Sequence, residues 1–326
     1  MTIALIGYGE VGRILAEDLR KLGQGVSAYD VKLSDSRGDA MRAHARGHGS
    51  SLAPSHAHAV RGAELIISAV TASQAVPVAH AAAPAIEKGA FFLDLNSASP
   101  GAKIEASLIV NHAGGRYVEG AVMTSVPPYR SKVPLILGGP DATDLEPLLR
   151  DLGFAPTLGS AKLGVASATK MCRSVMIKGR RWRPAAPKRR QPPRGAASEA
   201  SMGGLPAMVI ESFTAARHYG VEDAVLASLE DTFPGVDWEK QGAYFFQRVI
   251  EHGRRRAEEV CEVAQTVRDA GLEPWSASGT AERQAWIADL ADAGLFGARG
   301  ADGFARSTDW RVEADRVLEH VKGSKP

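Results

Sequence analysis

The sequence predicts an α/β protein in two parts, a doubly wound, mostly parallel sheet followed by an all-α domain. Three observations carry this expectation. Strand-type and helix-type segments alternate through residues 3–158. A Gly-x-Gly-x-x-Gly turn directly follows the first apolar run. From Leu205 onward the apolar spacing is helical, with few strand signals. The 326 residues suggest two domains. The expected division is 1–161 and 162–326, with an insertion at 180–204.

Residues 3–7, IALIG, are a short continuous apolar run, the pattern of a strand buried on both faces. The run leads into Gly7-Tyr8-Gly9-Glu10-Val11-Gly12, and then into a helix with Val11, Leu15 and Leu19 four apart. Gly7 permits a tight turn, Gly9 lets the backbone approach a diphosphate, and Gly12 lets the helix pack close to the strand. The helix N-terminus faces the phosphates. A second strand, 26–30, ends in Asp30, eighteen residues after Gly12. An acid there accepts hydrogen bonds from an adenine ribose diol and repels a 2′-phosphate. The spacing therefore predicts a Rossmann-type domain binding NAD rather than NADP, with Lys32 nearby leaving NADP possible.

Strands follow at 65–70, 117–121, 134–137 and 154–158, residues 91–100 are a strand running into a loop, and helices lie at 73–86 and 144–152. Ser99-Pro100 is a helix start, with serine as cap and proline in the first turn. In such sheets ligands lie beyond the carboxyl ends of the strands. Val70-Thr71, Asn96-Ser97 and Met123-Thr124-Ser125 fall at such ends. Residues 207–219, 242–270 and 281–294 read as amphipathic helices, with Gly220 and Gly271 at helix stops.

Apolar residues make up 44% and charged residues 23%, an ordinary globular composition. Residues 180–204 hold seven basic residues against Glu199, a local +6 within a chain total of +2. The remainder, at −4, gives no reason to expect a nucleic-acid partner. No run approaches a membrane span, and after Met1-Thr2 the chain goes straight into a strand, so no signal peptide is read. Cys172 and Cys261 lie far apart, which fits a reducing cytoplasm. His44, His48, His56 and His58 are spaced as metal ligands sometimes are, but no Cys or acid cluster accompanies them. They are read as solvated surface histidines, and no metal is expected.

Residues 180–204 interrupt an otherwise continuous helical stripe. Without them Gly179 joins Leu205, and Met176, Leu205, Met208, Val209 and Phe213 share one face. Prolines 184, 187, 192 and 193 break it, each costing about 3 kcal/mol inside a helix. The segment reads as a looped-out or disordered insertion.

One lysine stands out chemically. On a helix after residue 162, Lys170 shares a face with Ser167, Arg173 and Ser174. It is either a solvated helix lysine or a general base. As a base it requires a pKa lowered towards neutrality, which burial and a neighbouring Arg173 both favour. Arg173 is alternatively an anchor for a substrate carboxylate. Asn96 and Ser97 are either ligands of the substrate or the nicotinamide amide, or loop caps. Thr124 and Ser125 are either carboxylate ligands or plain loop residues. Arg254, Arg255 and Arg256 read most simply as a solvated charge run.

Four stretches together resemble the β-hydroxyacid dehydrogenase superfamily, which includes 3-hydroxyisobutyrate and 6-phosphogluconate dehydrogenases. Residues 7–12 resemble its cofactor loop. Asp94-Leu95-Asn96-Ser97-Ala98-Ser99-Pro100 resembles its D-x-S/N-T/S-x-x-P segment beside the nicotinamide. Residues 119–125 stand where the family has its substrate loop, and 164–174 resemble the segment carrying its catalytic lysine, here Lys170. HGRRRAEEV at 252–260 and GLEPW at 271–275 are closest to a less characterised branch. The resemblance implies hydride transfer between NAD(P) and a small anionic 3-hydroxyacid or its semialdehyde, in a homodimer or homotetramer. The chain departs from the family pattern in places. Met123-Thr124-Ser125 replaces Ser-Gly-Gly, Ser174 replaces an asparagine, and a Lys-Asp pair is missing near His252. Two other readings stay open: imine reduction on the same scaffold, and a non-catalytic dinucleotide-binding protein with a basic interaction arm.

Overall fold

The computed structural model describes residues 1–179, 204–269, 271–300, 303–304 and 307–324. The chain forms two compact units, Met1–Met171 and Cys172–Pro326. The first is built on eight strands: β1 (Thr2–Ile6), β2 (Gly25–Tyr29), β3 (Ser51–Leu52), β4 (Leu65–Ser68), β5 (Phe91–Asp94), β6 (Arg116–Val122), β7 (Pro134–Gly138) and β8 (Ala155–Leu158). They lie in the order β3-β2-β1-β4-β5-β6-β7-β8. All neighbours are parallel except β6 and β7. The connection from β6 to β7 is a loop with one 3₁₀ turn, Arg130–Lys132. Without a crossover helix the chain returns antiparallel.

Helices cover both faces. They are α1 (Glu10–Lys21), α2 (Gly38–His48), α3 (His56–Val60), α4 (Ala75–Ala82), α5 (Pro100–His112) and α6 (Ala142–Asp151). Side chains alternate along each strand, so β1 feeds two cores. Ile3 and Leu5 pack with Leu15 and Leu19 of α1, Met41 of α2 and Leu145 of α6. Ala4 and Ile6 pack with Val78 of α4 and Ala106 and Val110 of α5. Each fully buried leucine or isoleucine contributes about 2 to 3 kcal/mol, which makes the sheet the rigid base of the unit. The doubly wound sheet expected from the sequence is present. The histidine-rich stretch forms the helix α2 and the short strand β3, which the sequence reading did not include.

The last helix to start in this unit is α7 (Val165–Gly179). Its first turn is gripped by the sheet. The buried Glu119 of β6 accepts hydrogen bonds from the N–H groups of Gly164 (2.9 Å), Ala166 (3.1 Å) and Ser167 (3.3 Å). These are the orphan donors that every helix start must satisfy, and a carboxylate suits the positive end of the helix dipole. Gly138, the register partner of Glu119 on β7, makes the room: a Cβ there would lie 2.5 Å from a Glu119 oxygen.

The second unit holds α8 (Leu205–Tyr219), α9 (Glu222–Thr232), α10 (Trp238–Asp269), α11 (Trp275–Asp292) and α12 (Trp310–Gly323). A small antiparallel hairpin, β9 (Arg299–Gly300) with β10 (Gly303–Phe304), is its strand content among the described residues. Its core stacks Phe213 of α8 on Trp310 of α12, with Phe246 of α10 beside them. The long α10 approaches α11 closely at Gly253, where a Cβ would meet the Gln284 carbonyl at 2.8 Å. Gly220 and Gly271 have positive φ, as helix stops require. Arg254 is not a free surface charge: it bonds Asp289 and Asp292 of α11, both at 2.7 Å. Arg256 is half-buried, and burial lowers its guanidinium from the ordinary value. Arg254 and Arg255 are exposed, as a solvated charge run requires, and Arg256 departs from that expectation. Helix α7 ends at Gly179 and α8 begins at Leu205; the expected insertion, apart from Gly204, lies outside the described residues.

Replacing Glu119 with alanine strands three buried donors at once. Urea unfolding of Glu119→Ala should show the first unit destabilised by about 2 to 4 kcal/mol, the cost of unmaking charged buried hydrogen bonds.

Candidate active site

A cavity of about 560 Å³ opens beyond the carboxyl ends of β1, β2 and β4, where the strand order reverses. Gly7, Gly9, Glu10, Val11, Asp30, Val70 and Thr71 line it, together with Lys32 and His56. Gly7 holds φ +94°, and its Cβ would fall 2.4 Å from the Ala69 carbonyl. A Cβ on Gly12 would lie 2.0 Å from the Gly7 carbonyl, so α1 packs directly on the turn. A Cβ on Gly9, by contrast, would meet nothing within 4 Å. That open face adjoins the N-terminus of α1, whose N-cap Gly9 offers no side-chain acceptor. The donors of the first turn are therefore left to a ligand, and an anion is the group they fit. The turn and cavity fit a dinucleotide diphosphate on these grounds.

Asp30 closes the second strand as expected. Its carboxylate accepts from the N–H groups of Tyr8 (2.8 Å) and Lys32 (2.9 Å). It braces the glycine turn and still faces the cavity. His56, expected on the surface, stands beside Asp30 with its ring edge-on to Tyr29 at 4.5 Å. Burial lowers its pKa, against the pull of Asp30. Sequence reasoning missed it because no strand or motif fixes its distance from Asp30.

Two further expected ligands are corrected. Tyr8 is fully buried and does not line the cavity. Its phenol turns under the sheet to His44, 3.0 Å from Nδ1. Asn96 is also buried. Its Oδ1 accepts from the Val70 N–H (2.6 Å), and its Nδ2 donates to Ser68 Oγ (2.9 Å). Asn96 thus ties the end of β5 to the end of β4, which is the loop-capping alternative.

Next to Asn96, Ser97 meets the helix lysine. Lys170 Nζ lies 2.7 Å from Ser97 Oγ. The two are 73 residues apart in sequence, and both ends of the contact are held by buried charge. Asp94 anchors the Ser97 loop. It accepts from the Lys103 ammonium (2.9 Å), the Tyr117 hydroxyl (2.7 Å) and the Asn96 N–H (2.8 Å). The Lys103 ammonium also donates to the Asp94 carbonyl at 2.7 Å. Burial lowers the Lys103 pKa against the pull of Asp94 and Glu119, and burial and Asp94 raise that of Tyr117. Glu119 anchors the helix end that leads to Lys170. Asp94, Lys103 and Tyr117 escaped the sequence reading, since a buried ion pair has no local pattern.

Thr124 and Ser125 follow β6 and are exposed. Their loop is pinned by Arg130, a non-glycine residue at φ 56°, whose guanidinium bonds Asp18 and Glu17 of α1. Arg173 belongs to the second unit. It is half-buried and donates to Thr232 Oγ1 at the end of α9 (2.9 Å). Burial lowers its pKa, opposed by Asp231. Ser174 is half-buried in the next turn.

Comparison with known proteins supports the dinucleotide-binding domain. Residues 2–155 match the NAD binding domain of 6-phosphogluconate dehydrogenase, and residues 216–287 match a domain of unknown function, DUF1932. A conserved hypothetical protein from Sinorhizobium meliloti 1021 is 33% identical over 97% of this chain and 96% of its own, with a TM-score of 0.54. The Mycobacterium tuberculosis 3-hydroxyisobutyrate dehydrogenase solved with L-serine is 16% identical, covering 97% and 98%, with a TM-score of 0.50. An imine reductase from Myxococcus stipitatus in complex with NADP+ is 18% identical, covering 90% and 95%, with a TM-score of 0.54. At those last two identities the likeness is one of fold. The first unit is an NAD(P)-binding domain, and the chain has the fold of the 3-hydroxyacid dehydrogenases. The chain belongs to the β-hydroxyacid dehydrogenase superfamily, in a branch that pairs this domain with DUF1932.

The helix carrying Lys170 also carries Cys172, buried at 4% exposure, and burial pushes its thiol up to about 11. Cys261 is exposed. A thiol-disulfide reagent at pH 8 should therefore label Cys261 alone in the native protein and both cysteines in urea, because only the thiolate reacts.

Proposed function

We propose that the protein transfers a hydride between NAD and a small 3-hydroxyacid, or the matching semialdehyde, with Lys170 as general acid and base. The observation that carries this reading is the 2.7 Å contact of Lys170 Nζ with Ser97 Oγ. It lies at the end of β5, one hydrogen bond through Asn96 from the cavity residue Val70. When bound, the nicotinamide supplies the hydride acceptor or donor. The chain supplies the proton chemistry. In the oxidative direction Lys170 Nζ, neutral, takes the substrate hydroxyl proton as the carbonyl forms. In the reductive direction the ammonium returns that proton to the carbonyl oxygen. Ser97 accepts a hydrogen bond from Nζ, which fixes the lysine and leaves the Ser97 O–H directed elsewhere, towards substrate.

Asp30 supports NAD over NADP, since a carboxylate at the ribose repels a 2′-phosphate. Thr124, Ser125, Arg173 and Ser174 remain the candidate contacts for an anionic substrate. Assembly as a homodimer or homotetramer belongs to the same proposal. Among the described residues no helix is long and apolar enough to cross a membrane.

A second reading is reduction of an imine, favoured by the fold likeness to imine reductases. Protonation of an imine nitrogen needs an acid in the same place, and Lys170 fits that role less directly than it fits alcohol oxidation. Steady-state turnover on a panel of hydroxyacids, semialdehydes and cyclic imines separates the two. A hydroxyacid should be oxidised, and Lys170→Ala should lower kcat about 100- to 10,000-fold. Turnover of imines alone, or full activity in Lys170→Ala, overturns the reading.

Cofactor choice has its own test. Asp30→Ala should shift the ratio of kcat/KM for NAD over NADP towards NADP by about tenfold, equivalent to about 1.4 kcal/mol. The ratio removes any loss common to both cofactors from the weakened turn.

A further inference from the structure

Away from the residues that line the cavity, α1 and α2 bring together three side chains that the proposed chemistry does not use. His44 and His48 lie four apart on α2 and so share one face. Their rings are 4.4 Å apart. Glu17 reaches across from α1, with Oε1 3.0 Å from His44 Nε2. One ligand atom from each of the three lies within 4.8 Å of the others. Two ligand atoms on a tetrahedral zinc stand about 3.3 Å apart, so the cluster needs only small side-chain adjustments to close on an ion.

We propose that Glu17, His44 and His48 form a site for a divalent transition metal of the zinc class, with its fourth position open to solvent. Two imidazoles and one carboxylate are donors suited to such an ion, and not to magnesium or calcium. Glu17 and His44 are mostly buried, with side-chain exposures of 23% and 16%. His48 is exposed and gives the entry path. The outer partners that metal ligands require are already in place. Glu17 Oε2 holds Arg130 at 2.7 Å. His44 Nδ1 lies 3.0 Å from the buried Tyr8 hydroxyl.

The hydrogen bonding also has room for the change. Without metal, His44 Nε2–H donates to Glu17 and Nδ1 accepts from Tyr8. With metal on Nε2, the imidazole proton sits on Nδ1 and donates to the Tyr8 oxygen. The Tyr8 O–H then turns to a new acceptor. The Ser50 hydroxyl, which stands close enough to the Tyr8 phenol to oppose the larger effect of burial on it, is placed to accept. The imidazole stays neutral, its proton moving from one nitrogen to the other, and no oxidation is involved. Because Tyr8 lies within the glycine turn and its N–H is held by Asp30, an ion here would stiffen the floor of the dinucleotide site.

The test uses the full, untagged chain after chelator treatment. Cobalt(II) titration should give visible d–d absorption that saturates at one equivalent, and zinc should abolish it by displacement. Zinc should also raise the melting temperature. His48→Ala, at an exposed position where folding is not at stake, should weaken cobalt binding by about tenfold or more. Glu17→Gln should weaken it as well. Absence of saturable binding at micromolar cobalt overturns the proposal. So does binding that is unchanged in His48→Ala, since the ion would then sit on other histidines.

Discussion

Two carboxylates stand side by side on neighbouring strands, one at the end of β5 and one in the middle of β6. Asp94 of β5 and Glu119 of β6 are register partners, and both are fully buried. Like charges so placed are expensive unless each is compensated. The structure compensates them differently. Asp94 takes the buried Lys103 ammonium and the Tyr117 hydroxyl. Glu119 takes three backbone N–H groups at the start of α7. The first solution fixes the loop that carries Ser97, and the second fixes the helix that carries Lys170. Their 2.7 Å contact is thus set by charge buried behind it, not by the exposed side chains themselves.

The same logic explains which residues are spent on structure. Asn96 uses both ends of its amide to clamp β5 to β4, and Tyr8 sends its phenol away from the cavity. Neither has a polar side-chain atom aimed at the dinucleotide. The cavity is lined by the glycine turn and the start of α1, with Asp30, Lys32 and His56 supplying charged and titratable groups. A site that grips a diphosphate through helix N–H groups depends little on side-chain identity in the turn, and much on the absence of Cβ atoms at Gly7 and Gly12.

That difference governs how much the sequence reveals. The sheet was legible because buried parallel strands are continuous apolar runs and because glycine spacing is a steric requirement. Asp30 was legible because the length of α1 and β2 fixes its distance from Gly12. The helix that carries Lys170 was legible from its apolar spacing, while the contact of Lys170 with Ser97, 73 residues away, was not. The buried polar groups were not. Lys103 reads as one more helix lysine, and Glu119 as one acid in a strand. Nothing local marks either as enclosed. His44 failed for the same reason: its partners Tyr8 and Glu17 lie 36 and 27 residues away, so its burial depends on how α1 and α2 pack.

The cap that Glu119 places on α7 has a consequence for the order of assembly. A helix pays most for its first turn, before any hydrogen bond has formed. Here the acceptor for that turn lies 45 to 48 residues upstream, on a strand that is only in position once the sheet has formed. The nucleus of α7 is therefore a product of sheet formation. During synthesis on the ribosome the nucleotide-binding sheet can close first, and α7 can then propagate from its edge. Lys170 is brought to Ser97 by the folding of the strands beneath it, after the sheet already exists.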